Sequence, residues 1–381
     1  MEFTLTREKQ MIKDMVRDFA EKEIAPHAVY YDRTGEFPYD TFQKMGELGL
    51  LGIPFPEEYG GSGGDTLSYA LAVEEIGRAC GGTGLSYAAT ISLGASPIYY
   101  FGTEEQKRKY LVPMASGKTL GAFGLTEPNA GSDAGGTQTK AVIDGDEYVI
   151  NGEKCWITNA EYAKTIIVTA VNGVDERGKK KISAFIVPTD SDGLTISSPY
   201  DKMGVRASNT CEIILENVRV PKENILGDAD KGFSQFLYTL DGGRISIAAL
   251  AVGIAQAAFE RALAYSKERK QFGKSISSFQ AIQFKLADMA TEIELARNLV
   301  HKAAWLKDNS KPFGKEAAMA KLFASEMASR TANQAVQIHG GYGYMKEYEV
   351  ERYVRDAKLL EIGEGTSEIQ RLVISRHLGC R

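Results

Sequence analysis

The chain has 381 residues, of which 43% are hydrophobic and 25% charged, the profile of a globular protein long enough for two or three domains. Its formal charge is −5, from 45 Lys plus Arg against 50 Asp plus Glu, which argues against a general nucleic-acid binder with a basic face. No run approaches 18 consecutive apolar residues, so no membrane span is expected.

The opening stretch, MEFTLTREKQMIKDMVRDF, mixes acids with bases and lacks an apolar segment followed by a small-residue cleavage site. It reads as the first helix of the fold and not as a targeting signal, which points to a cytoplasmic location. From about residue 4 to 120 the pattern is helical. Met11, Ile12, Met15, Val16 and Phe19 recur at i, i+3, i+4 spacing. Pro26 is expected to close that helix, because its ring and missing N–H cannot continue the ladder. The Gly-rich YGGSGGD at 59–65 then precedes a second helical run, TLSYALAVEEIGRA.

Between about 121 and 232 the period changes to two. Asp144-Gly145 and Asn151-Gly152 lie between short alternating segments and read as hairpin turns. TIIVTAV, ISAFIVP and CEIILENVRVP follow as strands bounded by Gly, Pro, Asp or Asn. From about 233 onward the chain is helical again, beginning with a long Ala- and Gly-rich run that lets neighbouring backbones approach closely. Two further helices are expected at about 278–308 and 314–338. A last one begins near Thr366, with Ser367 and Gln370 spaced as a capping box. The fold class expected is α+β: an N-terminal all-α domain (1–120), a central antiparallel β-barrel or sandwich domain (121–232) and a C-terminal four-helix-bundle domain (233–381).

Several familiar chemistries fail on spacing. Cys80, Cys155, Cys211 and Cys380 form no CxxC pair, and His27, His301, His339 and His377 lack ligand spacing, so neither a bound metal nor a disulfide framework is expected. The Gly-Lys-Thr at 117–119 has Val112 where a phosphate loop needs glycine. The glycine-rich runs at 60–65 and 340–345 do not sit between a strand and a helix of a βαβ unit, and no GxSxG elbow occurs.

Four polar, glycine-containing stretches remain: GLTEPNAGSDAGG, KCWITNA, ERKQFGK, and the late pair QIHGGYGY with EIGEGTSEIQR. Singly, each is accounted for by turn chemistry, a packed Trp, a solvated helix end or a helix cap. Together with YFGTEEQKRKYL, LDGGRI and LADMATEIELAR, in this order along essentially the whole chain, the set resembles the acyl-CoA dehydrogenase family of flavoproteins, most nearly its short-chain, butyryl-CoA-type members.

The resemblance implies FAD-dependent α,β-dehydrogenation of a short- or medium-chain acyl-CoA thioester, straight or branched, to the trans-2-enoyl-CoA. An α-C–H beside a thioester is a weak acid, so the protein must polarise the carbonyl, hold a base in contact and exclude water; desolvation also strengthens a carboxylate base. Glu364 matches the family's base. One subgroup carries its base immediately before the Arg of the segment matching LDGGRI, and that position here is Gly243, which has no ionisable group. By the same resemblance Phe123, Leu125, Thr126 and Ser132 line FAD, with Ser132 also near CoA, and Trp156 and Thr158 flank its flat ring. Arg269, Phe272, Gln280, Gln337, Gly340 and Gly341 meet the pyrophosphate and adenosine of a FAD held mainly by a neighbouring subunit, and Thr366 and Glu368 touch FAD from the last helix start. Asp241, Arg244 and Gly365 are the substrate-side candidates. A homotetramer and an electron-transferring flavoprotein as electron acceptor are implied as well. The alternatives are a flavoprotein oxidase or monooxygenase of the same fold, and a non-catalytic scaffold that retained it.

Overall fold

The computed structural model describes residues 4–380. Its N-terminal part contains α1 (Arg7–Phe19), α2 (Ala28–Thr34), α3 (Tyr39–Glu47), α4 (Thr66–Ala79), α5 (Gly81–Ala89), α6 (Ser96–Phe101), α7 (Glu104–Gln106) and α8 (Val112–Ala115). Thr6 caps α1, its hydroxyl accepting from the Lys9 N–H, and Asp65 caps α4 by accepting from the Ser68 N–H. Val16 and Phe19 of the apolar stripe are buried, whereas Met11 and Met15 face outward.

Pro26 does not stop the chain's helical path. A wide π turn (Ala20–Ile24) and a 3-10 turn (Ala25–His27) carry it on into α2, which ends at Gly35. Pro26 stands in the first positions of the 3-10 turn, where a missing N–H removes no needed bond.

The central sheet comprises β1 (Leu120–Gly124), β2 (Lys140–Asp144), β3 (Glu147–Thr158), β4 (Ala163–Val174), β5 (Lys180–Pro188), β6 (Leu194–Ile196), β7 (Thr210–Pro221) and β8 (Ile225–Leu226). The strand order is β6-β7-β3-β2-β4-β5-β8, with β1 beside β4. The sheet is mixed and not purely antiparallel: β4 pairs parallel with β1 and, at Lys140↔Val171, with β2. A period of two reports which face a residue occupies but not the direction of the strand beside it. Asp144-Gly145 does open the β2–β3 hairpin. Asn151-Gly152 lies inside β3 instead, where the register against β7 shifts, and a side chain at Gly152 would collide with Thr139. The dipeptide marks a bulge, which shares the turn's need for glycine.

The C-terminal part contains α9 (Gly232–Glu268), a small hairpin of β9 (Lys270–Gln271) and β10 (Lys274–Ser275), α10 (Gln280–Asp308), α11 (Gly314–His339), α12 (Val350–Leu360) and α13 (Ser367–His377). Helix α9 is long and apolar enough to cross a bilayer, yet it packs against α11, α4 and α10, and most of its apolar stretch is buried. One continuous core joins the two helical parts, running from Val16 and Ile76 through Leu250 and Ile254 to Met327 and Leu360. The sheet has its own core around Ile150, Ile166, Phe185 and Val218.

Candidate active site

Glu364 lies in the short loop between α12 and α13, with its backbone in the left-handed region at φ 53°. Such a conformation is uncommon for a residue with a side chain and persists only where its surroundings hold it. Three contacts do so: Lys321 Nζ on α11 donates to the Gly365 carbonyl at 2.6 Å, and Gln370 Nε2 donates to the carbonyls of Gly365 (2.8 Å) and Glu364 (3.3 Å). The cap of α13 is Thr366, whose hydroxyl accepts from the Ile369 N–H. Ser367 is already helical and its hydroxyl is buried without a partner, so the expected Ser367–Gln370 capping box does not form; Gln370 serves the Glu364 loop.

The Glu364 side chain turns inward against α9. Its Oε2 is shielded from solvent and has no hydrogen-bond partner, and it fills the space that a β-carbon at Gly243 would need. Burial pushes its pKa up to about 7, against the pull of Lys321 and Arg244. Arg244 is buried, pairs with Asp241 one turn before it, and keeps an unpartnered Nε. Burial also raises the Asp241 pKa, while Arg244 and His377 oppose that shift. From α4 comes Tyr69, fully buried, its hydroxyl donating to the Ala88 carbonyl at 2.8 Å. Lys321 and Tyr69 are members of this cluster that sequence patterning alone misses; each reads locally as an ordinary helix residue.

The sheet approaches the same helix. Phe123 on β1 stacks on Phe236 of α9 with ring centres 4.0 Å apart, and Phe236 lies two turns before Gly243 on one helix face. Leu125 and Thr126 follow directly; the Thr126 carbonyl accepts from the Cys155 N–H, and the Leu125 carbonyl from Lys154 Nζ. Trp156 stands 62% exposed at φ 58°, where the β3–β7 register shifts again. A bulge of this kind re-aims a side chain, here leaving an indole outward beside the half-buried Thr158. Ser132 is exposed on the 125–139 loop.

That loop is anchored by a pair that motif reading overlooks, although both members lie in quoted motifs. Lys154 is wholly buried, its Nζ donating to Glu127 at 2.8 Å, Leu125 O and Thr137 Oγ1 at 3.1 Å, and Thr169 Oγ1 at 3.2 Å. Glu127 also accepts from the hydroxyls of Thr137 and Thr139 and from the N–H groups of Gln138 and Thr139.

The remaining candidates gather elsewhere. Arg269, Gly340 and Gly341 line a cleft of about 510 Å³ with Tyr265, His339 and Tyr342. The Arg269 guanidinium lies over the Tyr342 ring at 5.4 Å, and His339 stacks on Tyr265 at 4.2 Å. Gly340 has φ 61°, and open space surrounds the positions where side chains at Gly340 and Gly341 would begin. Phe272 is 92% exposed, and Gln280, Gln337 and Glu368 are exposed. Arg269 follows Gly243 by 26 positions at the far end of α9, roughly 39 Å away at 1.5 Å per residue. One chain therefore does not bring the Arg269 cleft and Glu364 together.

These features suit a flat, phosphate-bearing aromatic cofactor. An arginine beside bare backbone can meet a pyrophosphate, and an outward indole can meet a ring system. Among the described residues, no group of three His, Cys, Asp or Glu side chains is placed to hold a metal ion.

Three family models match the chain in order: the N-terminal domain of acyl-CoA dehydrogenases over 6–118, the middle domain over 122–218 and the C-terminal domain over 230–379. The chain is 77% identical to a probable acyl-CoA dehydrogenase of Bacillus subtilis, YngJ, over 99% of this chain and 100% of that one. It is similar to the butyryl-CoA dehydrogenase structure of Megasphaera elsdenii (TM-score 0.97, 48% identity, covering 99% and 100% of the two chains). It is also similar to a Bacillus anthracis acyl-CoA dehydrogenase solved in complex with FAD (TM-score 0.93, 39% identity, covering 98% and 67%). Matches so continuous leave no part of the helix–sheet–helix order unaccounted for, and the chain belongs to the acyl-CoA dehydrogenase family.

Proposed function

We propose that this protein is an FAD-dependent dehydrogenase of short-chain acyl-CoA thioesters, giving the trans-2-enoyl-CoA, with Glu364 as the base that takes the α-proton. The single observation that carries the reading is the half-buried Glu364 side chain, whose Oε2 is shielded from solvent and unpartnered and whose pKa burial pushes up to about 7. A carboxylate in that condition is a far stronger base than one in water, and it is half ionised near neutral pH.

The chain's own groups do the rest. The Glu364 N–H has no partner among the described residues and is free to donate to a thioester carbonyl, polarising the α-C–H. Its left-handed backbone, clamped by Lys321 and Gln370, holds that donor and the carboxylate in one fixed relation, as a near-attack geometry requires. Arg244 and Asp241 border the site on α9 and are proposed as substrate contacts together with Gly365 and Ser132. Tyr69 closes the α4 side, where a short acyl chain suits the likeness to a butyryl-CoA dehydrogenase.

FAD, when bound, supplies the acceptor for the β-hydrogen as hydride. We assign its holding to Phe123, Leu125, Thr126, Ser132, Trp156 and Thr158, with Thr366 and Glu368 at the start of α13. Arg269, Phe272, Gln280, Gln337, Gly340 and Gly341 are assigned to the cofactor of a neighbouring subunit, because roughly 39 Å of helix separates that cleft from Glu364. A homotetramer follows as the expected assembly, and an electron-transferring flavoprotein as the acceptor of the electrons.

The test is anaerobic mixing of the yellow protein with butyryl-CoA. Bleaching of the flavin band in the wild type and its absence in Glu364→Gln is the expected result; bleaching in both places the base elsewhere.

A further inference from the structure

Lys321 is completely buried on α11, and its one hydrogen bond goes to a neutral carbonyl, that of Gly365, at 2.6 Å. No carboxylate lies within salt-bridge distance of it among the described residues. An ammonium taken out of water without a bonded counter-ion is costly, and a protein retains one where its charge acts on something nearby. Of the opposite charges acting on it, that of Glu364 has the largest effect.

We infer that Lys321 is a positioning residue for the reaction: its bond to the Gly365 carbonyl fixes the left-handed turn at Glu364, and its buried positive charge sets how readily the Glu364 carboxylate ionises. The inference rests on Glu364 being the base.

The groups around Glu364 come from every element packed against it. Arg244, paired with Asp241, faces it from α9, Lys321 from α11 and Tyr69 from α4. Glu361 precedes it in the loop but is occupied by Lys358 and the Ser329 hydroxyl, and Glu368 is exposed on α13. Of the two cations, Arg244 is neutralised locally by Asp241, whereas Lys321 is not. Burial lowers the Lys321 pKa to about 8, so it still carries its proton where Glu364 titrates.

Three variants of the full flavin-loaded protein separate the clamp from the charge. K321Q keeps a donor for the Gly365 carbonyl but loses the charge, K321M loses both, and K321R keeps the charge. The readout is the acid limb of kcat/KM against pH, with flavin content and the circular-dichroism spectrum measured alongside. The limb is expected to move upward by about one pH unit in K321Q and K321M, as loss of a neighbouring opposite charge predicts, and to stay near the wild-type position in K321R. K321M alone is expected to lose kcat on the plateau as well, because only there does the turn lose its donor from α11 and rest on Gln370 alone.

A K321Q limb that coincides with the wild type's overturns the inference, whatever happens to kcat. K321Q alone decides the matter should K321M fail to accumulate. Glu364→Gln serves as the control that keeps the two readings apart. If it turns over substrate, the base assignment fails; if it is inactive while the K321Q limb stays put, only the role of Lys321 fails.

Discussion

The Glu364 carboxylate oxygen occupies the volume that the first carbon of any side chain at Gly243 would take, although the two residues are 121 positions apart. The base on one loop and the bare backbone on α9 are thus two halves of one feature. Gly243→Ala tests it. In a helix interior alanine is favoured over glycine by about 1 kcal/mol, so the substitution should not weaken α9 itself. It must, however, push the carboxylate aside, and a displacement of about 1 Å can cost on the order of 10²-fold in rate. The expected outcome is a loss of kcat of about that size with flavin content and melting temperature close to wild type. A variant that melts far lower and is inactive only because it sheds FAD would contradict this picture.

The raised pKa of Glu364 also has a consequence for stability. The folded state holds this proton up to about pH 7, whereas an unfolded glutamate releases it near its ordinary value of 4.5. Between those values the native state binds more protons than the unfolded one, so the contribution of this group is full below about pH 4.5 and is lost as pH rises through about 7. Glu364→Gln removes the buried ionisation. Its melting temperature should exceed the wild type's at pH 8 by about 2 °C or more and match it at pH 4.5. Equal melting curves at both pH values would mean that the carboxylate is not desolvated.

Much of this architecture is legible in residue order because its causes are local. The apolar spacing of α4 and α9, the short apolar runs of β4 and β5, and the Asp144-Gly145 turn each depend on neighbours within a few positions. What escapes has partners far away. The parallel pairing of β1 with β4 joins segments some forty residues apart, and the bulge at Gly152 is dictated by Thr139, the residue just before β2. Lys154 and Lys321 look like solvated lysines, since the groups that let each be buried, Glu127 and the 364–365 loop, come from other elements. At the start of α13, two adjacent hydroxyls compete to cap, and the outer one, Thr366, takes the role because the Glu364 loop already holds Gln370.

Arg269 is the residue on which the proposed cross-subunit cofactor contact depends. Its guanidinium already has the Tyr342 face beneath it, so its charge can be directed into the cleft beside Gly340 and Gly341. Arg269→Ala should release FAD on dilution and weaken assembly together, since a cofactor shared between two chains links the two equilibria. Flavin absorbance and light scattering across a gel-filtration peak, at falling protein concentration, provide the check. Full flavin content in a dissociated protein would show that the cleft serves another purpose.

The Lys154–Glu127 pair gives a sharper separation between stability and cofactor binding. Burial works against the Glu127 charge, yet Lys154 and the two threonine hydroxyls hold its pKa down to about 2. Burial lowers the Lys154 pKa to about 8, only partly opposed by Glu127. The glutamate's stabilising contribution is present above about pH 4.5 and lost as pH falls through about 2, while the lysine's burial costs stability in full below about pH 8, a cost relieved only as pH rises from there to 10.5. The two effects oppose each other across neutral pH, as expected for a buried pair whose Coulomb attraction roughly offsets its desolvation. Removing one partner is different: K154M leaves Glu127 charged and buried, and about 3–5 kcal/mol of stability should be lost. The double variant E127L/K154M replaces both charges with apolar groups and should recover most of that loss. It should not recover flavin affinity, because the carbonyl of Leu125 would no longer be tied to β3 nor the backbone at Gln138 and Thr139 to residue 127, leaving the Thr126 carbonyl bond to the Cys155 N–H to hold the loop beside Trp156 without them. Thermal melts and flavin-binding titrations on the two variants decide the point. If the double variant regains both properties, the pair positions nothing, and the loop is held by its packing alone.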